Sequence, residues 1–134
     1  MPLSLHPISV HFPIAFLFLA GGLYIFYLFK NEFFYFRAAK LVHLLGLIGL
    51  ILAMLTGRSA ASEIEADSPL TEIVRNHEIL GYGAIWAFSM LMVWTYLREK
   101  SFKQKELIFF SLLYLLFLGL MVYSSYLGGE IAHH

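Results

Sequence analysis

The chain predicts an all-α fold: an integral membrane protein whose single domain is an antiparallel four-helix bundle. Three observations carry that expectation. Apolar residues make up 60% of the sequence and charged residues 13%, whereas soluble domains run near 45–50% and roughly 25%. Four nearly continuous apolar segments approach the length of about 20 residues that a bilayer core requires. Seven of the nine Lys and Arg fall in two short connections between those segments, the kind of asymmetry that orients membrane helices.

The segments are expected at about 8–29, 38–56, 77–97 and 106–127. Each is rich in Leu, Ile, Phe, Ala and Gly and lacks the polar face that a helix of a soluble bundle needs. Pro13 falls near the start of the first helix, where its missing N–H is tolerable. Ser68-Pro69 before Thr71-Glu72 has the form of a helix start, with Ser as cap and Pro in the first turn. Gly128-Gly129 is expected to loosen or end the fourth helix, since glycine is a poor interior residue. The 30–40 connection carries Lys30, Arg37 and Lys40, and the 98–105 connection carries Arg98, Lys100, Lys103 and Lys105. The 58–76 connection has two arginines against four carboxylates. Both termini and the 58–76 connection are therefore expected outside, on the periplasmic face of a bacterial cytoplasmic membrane.

Composition also narrows the chemistry. The formal net charge is zero and there is no cysteine. Nothing favours nucleic acid, and disulfides, thiolate zinc sites, cysteine-held iron–sulfur clusters and covalent c-type haem are excluded. The N-terminus lacks the basic stretch of a cleavable signal peptide. No nucleotide-binding, zinc-protease or serine-nucleophile motif is present.

The histidines are the polar residues that demand an explanation, because ionisable groups in membrane segments are costly and mark functional sites by default. His11 precedes Phe29 by 18 residues and His77 precedes Leu97 by 20. At about 1.5 Å per residue both lie roughly 27–30 Å from the inner ends of their helices. Their helices, the first and third, are diagonal in an up-down-up-down bundle. The pair is thus expected to face across the core at one depth and to hold a flat ligand; the alternative is that each simply hydrogen-bonds a backbone carbonyl at the interface. Ala15, Gly81 and Ala84, one to two turns along, would leave room for it. His133 lies 27 residues beyond Glu106, about 40 Å if the fourth helix were continuous, and would overshoot the interface. A break at Gly128-Gly129 would return it to the bundle mouth as an alternative ligand. His6 stands at the approach to the first helix, as a further ligand to a bare ion or as an interfacial residue.

His43 lies far below that level, about two turns from the inner end of its helix. Its face continues through Gly46, Leu50, Ala53 and Gly57, a small-residue stripe suited to close packing. A hydrogen-bonded packing role is favoured, with a second haem or a proton path as the alternative. Glu78 and Glu130 lie near the outer mouth, where Tyr82, Tyr123 and Tyr126 fit an aromatic belt. Arg58 and Arg75 are the two cations available there to pair with haem propionates, or alternatively to balance Glu63, Glu65 or Glu72.

The stretch His6-Pro7-Ile8-Ser9-Val10-His11-Phe12-Pro13-Ile14-Ala15 resembles the HPxxVHFPxA opening of bacterial four-helix membrane proteins grouped as domain-of-unknown-function family 2231. The resemblance continues with Thr56-Gly57, His77 and Gly128-Gly129-Glu130 followed by His133, and so spans essentially the whole chain. The family has no settled activity. Some members look fused to c-type cytochrome or Rieske-type domains, which implies a redox setting by association only.

Three functions follow as expectations. The first is a b-type haem protein passing electrons between a quinol or periplasmic donor and a partner such as cytochrome c or a Rieske-type protein. It would act as an electron-transfer subunit rather than a stand-alone enzyme, alone, as a homo-oligomer or within a larger complex. The second is a transition-metal site built by His6, His11, His77 and His133, since imidazole suits Zn, Cu, Fe or Ni. The third is a structural membrane subunit without cofactor.

Overall fold

The computed structural model describes residues 5–61 and 71–132, with side chains described for 12–56, 72–124 and 126. Four long helices, α1 (Leu5–Lys30), α2 (Phe33–Ala61), α3 (Thr71–Arg98) and α4 (Gln104–Ala132), account for nearly all of it, with a short 3-10 turn at Glu99–Ser101. Among the described residues there is no strand. Each helix packs against its two sequence-cyclic neighbours, and among the described residues the backbones of the diagonal pairs α1/α3 and α2/α4 stay apart. This is the expected up-down-up-down arrangement.

All four helices are long and apolar enough to cross a membrane, over Phe12–Lys30, Phe33–Thr56, Glu72–Ser101 and Gln104–Ser124. The radial distribution supports the same reading. Phe29, Leu97 and Trp86 are 78%, 77% and 71% exposed, while His43, Thr95, Ser111 and Ser124 are buried. Large apolar side chains outside and polar ones inside suit lipid as solvent. A helix is also the way for each segment to satisfy its own amides there.

The helices are longer than the apolar segments, and the connections correspondingly shorter. The first connection is two residues, Asn31 and Glu32, rather than 30–40. Asn31 takes a left-handed conformation (φ 55°) and its N–H bonds the Tyr27 carbonyl at 2.9 Å. One residue thus closes α1. Glu32 then offers its carbonyl to the Tyr35 amide at 3.0 Å as α2 starts. Arg37 and Lys40 therefore stand on α2. Lys40 is accommodated because its stem crosses apolar surface, with Nζ 4.0 Å from the centre of the Tyr96 ring and 3.3 Å from Glu99; long cations cover such surface readily.

Two further expectations change. Pro13 lies more than two turns inside α1, where it is fully buried. Gly49 faces it; a Cβ there would come within 3.1 Å of Pro13 Cβ. α4 runs through Gly128-Gly129 to Ala132 instead of ending at the glycines. A glycine costs a helix about 1 kcal/mol, which is less than abandoning backbone hydrogen bonds in an apolar setting. The turn back over the bundle mouth does not occur at that point. α3 is described from Thr71; Ser68 and Pro69, the expected start signal, lie outside the described residues.

Glycine sets how closely the helices approach. A Cβ on Gly46 would lie 2.9 Å from Leu17 Cγ, and one on Gly21 3.0 Å from Tyr114 Cε1. Small residues at such contacts let apolar helices gain dispersion energy that lipid cannot supply.

Candidate functional site: the histidine end of the bundle

His77 heads a stripe of buried positions on α3, namely Gly81, Ala84, Phe88, Leu91 and Thr95. The spacing of three and four residues points this face at the core. Half-buried at the top of the stripe, His77 places Nδ1 2.8 Å from the Ser124 carbonyl and 3.3 Å from Ser124 Oγ on α4. A carbonyl only accepts, so the Nδ1–H donates to it. In the neutral ring the lone pair is then on Nε2. This is the carbonyl bond that the interfacial alternative requires, and it is also the usual arrangement behind a ligating Nε2.

His43 contrasts with it. The ring is wholly buried. Nε2–H donates to the Phe88 carbonyl at 3.0 Å, and Nδ1 accepts from the Tyr24 hydroxyl at 2.8 Å. Nε2 carries a proton and the Nδ1 lone pair is already engaged, so no lone pair is free for a ligand. Phe88 and Tyr114 meet the ring edge-on, with centroids 6.0 and 5.3 Å away. Tyr114 itself donates to the Leu17 carbonyl at 2.7 Å. His43 and the two tyrosines thus tie α2 to α1 and α3, and α4 to α1. The favoured packing role for His43 agrees with this geometry.

The remaining site residues are distributed as follows. Arg75 is exposed and forms no ion pair among the described residues. The side chains of His6, His11, Arg58 and Glu130, and His133 altogether, lie outside the described residues. On α1, Pro13 and Leu17 are buried but Ala15 is exposed. The room expected beside Ala15 is therefore not core space. Gly81 is buried as expected, but its open side is filled by the Met54 methyl group of α2. Among the described residues no three His, Cys, Asp or Glu side chains come together to hold a metal ion. Tyr82, Tyr123 and Tyr126 are exposed, as an aromatic belt requires.

Three partners escaped sequence reasoning: Ser124, Tyr24 and Met54. A signal existed for Ser124. It follows Glu106 by 18 residues, which puts it about 27 Å up α4 and level with His77. Nothing in the sequence marks Tyr24 out from the other seven tyrosines.

Neither a curated protein nor a solved structure matches this chain. A family model described as "Predicted membrane protein (DUF2231)" matches residues 2–134. With its four membrane-length helices and near-complete match, the chain belongs to that family.

Proposed function

We propose that this protein is a b-type haem subunit of the bacterial cytoplasmic membrane, with His77 as an axial ligand at the periplasmic mouth of the bundle. The observation that carries the reading is the Nδ1 hydrogen bond from His77 to the Ser124 carbonyl, the kind of outer contact that orients a ligating imidazole. His11 is the proposed second ligand on the diagonal helix, with His133 as its alternative. Arg58 and Arg75 are the proposed partners of the propionates. Haem would supply one-electron chemistry, and the chain would supply ligands, an apolar surround and hydrogen bonds that set the potential. The donor and acceptor classes are a quinol and a cytochrome c or Rieske-type protein.

Met54 favours a second reading. Its methyl group occupies the space beside Gly81, so a macrocycle requires this flexible side chain to withdraw, whereas a single ion does not. A transition ion held by His77 with His11, His133 and His6 is that reading.

One preparation separates the two. Detergent-purified protein is reduced and its difference spectrum recorded, and metal content is measured alongside. A sharp reduced haem band that disappears in His77→Ala and persists in His43→Ala is the expected result. Bound metal without the band selects the ion. Neither signal in cells supplied with haem and metals removes both and leaves a structural subunit.

A further inference from the structure

The bundle end opposite His77 gathers charge of one sign. Seven of the nine Lys and Arg stand there with three carboxylates, Glu32, Glu99 and Glu106, leaving four positive charges. Two of the seven cations are neutralised internally. Lys40 pairs with Glu99 at 3.3 Å and Arg98 with Glu106 at 3.1 Å. The Trp94 indole N–H donates to that same Glu106 at 3.3 Å. All three carboxylates are therefore near the helix ends, and two are already engaged. Lys30, Arg37, Lys100, Lys103 and Lys105 are exposed and have no carboxylate partner among the described residues. Lys100 lies over the Phe33 ring at 5.2 Å, which brings the α3–α4 connection against the start of α2.

What borders these cations identifies the ligand. Phe29, Phe34, Leu97 and Phe109 are exposed and lie within four residues of these cations in the chain. In a membrane-spanning bundle these side chains meet acyl chains, and the cations next to them stand at headgroup level. A partner that matches both surfaces is an amphiphile with an anionic head. We propose that this end is a binding collar for anionic phospholipids, whose phosphodiester groups supply the charge that the protein lacks. A free anion or a soluble acidic protein would use the cations and leave the apolar border unmatched. The proposal is independent of any cofactor at the opposite end.

Intrinsic fluorescence tests it. Of the two tryptophans, Trp94 is on the collar's Glu106, so a Trp86→Phe background leaves one local reporter. The protein is reconstituted in vesicles of phosphatidylcholine mixed with brominated phosphatidylglycerol or, in parallel, brominated phosphatidylcholine. Bromine quenches only from lipids in contact. The anionic lipid is expected to quench Trp94 more strongly at equal mole fraction. The preference should weaken with salt and fall by about fivefold for a single Lys→Gln change at Lys100, Lys103 or Lys105. Arg75→Gln at the far end should leave it intact. Unchanged quenching by brominated phosphatidylcholine verifies that each variant is inserted and folded. Equal quenching by the two lipids in the parent overturns the proposal. So does a preference that survives both salt and loss of all three lysines.

Discussion

Tyr24→Phe deletes one hydroxyl from the centre of the bundle, and its effect reports whether His43 is a structural tie. The change removes the donor to His43 Nδ1 at 2.8 Å and deprives a wholly buried ring nitrogen of that partner. In soluble proteins an abandoned buried partner costs about 1–3 kcal/mol. In a membrane the unfolded chain still finds partners, and measured interhelical bonds average about 0.6 and reach about 1.7 kcal/mol. His43 belongs at the upper end, because it is wholly buried with both nitrogens engaged. We therefore expect a loss of about 1–2 kcal/mol for Tyr24→Phe. His43→Ala loses the same bond, the bond to Phe88 and the ring packing, and opens a cavity, for about 2–5 kcal/mol. The two losses share one bond, so the double variant should fall short of their sum by about 1 kcal/mol. Unfolding in mixed micelles with increasing dodecyl sulfate, followed by far-UV circular dichroism, measures all three. Additivity within about 0.5 kcal/mol would refute the tie. So would a Tyr24→Phe cost no larger than that of Tyr82→Phe, whose ring is exposed.

Glycine replacements separate close packing from open surface. Gly46→Ala puts a methyl group 2.9 Å from Leu17 Cγ and 3.2 Å from the Leu17 backbone nitrogen. α1 must then shift, at a cost of about 1–3 kcal/mol. Gly22 has nothing within reach of a Cβ, so Gly22→Ala should be neutral or gain up to about 1 kcal/mol from helix propensity; the same micelle titration ranks them. The charge asymmetry predicts an exported C-terminus. A phosphatase fused there should be active and a fluorescent protein that matures only in the cytoplasm should stay dark, and the reverse pattern would overturn the orientation.

The sequence by itself determined the class of fold and the number of helices, because the bilayer criterion depends on segment length and apolarity, both local properties. It also separated His77 from His43 by depth, because helical rise is constant. Element ends were less legible. Arg37 and Lys40 read as a loop, yet α2 already carries them, because the Tyr96 ring and Glu99 that receive Lys40 come from a distant part of the chain. Gly128-Gly129 read as a stop, yet α4 continues, because amide satisfaction outweighs the intrinsic preference of glycine.

Only the tertiary structure decided which atoms each histidine faces. Ser124 fixes the His77 tautomer across 47 residues of chain, and Phe88 occupies the second nitrogen of His43 across 45. Such contacts depend on the rotation of each helix about its axis. A nearly uniform apolar sequence leaves that rotation unspecified, and the fit of Leu17 against Gly46, Pro13 against Gly49 and Met54 against Gly81 fixes it.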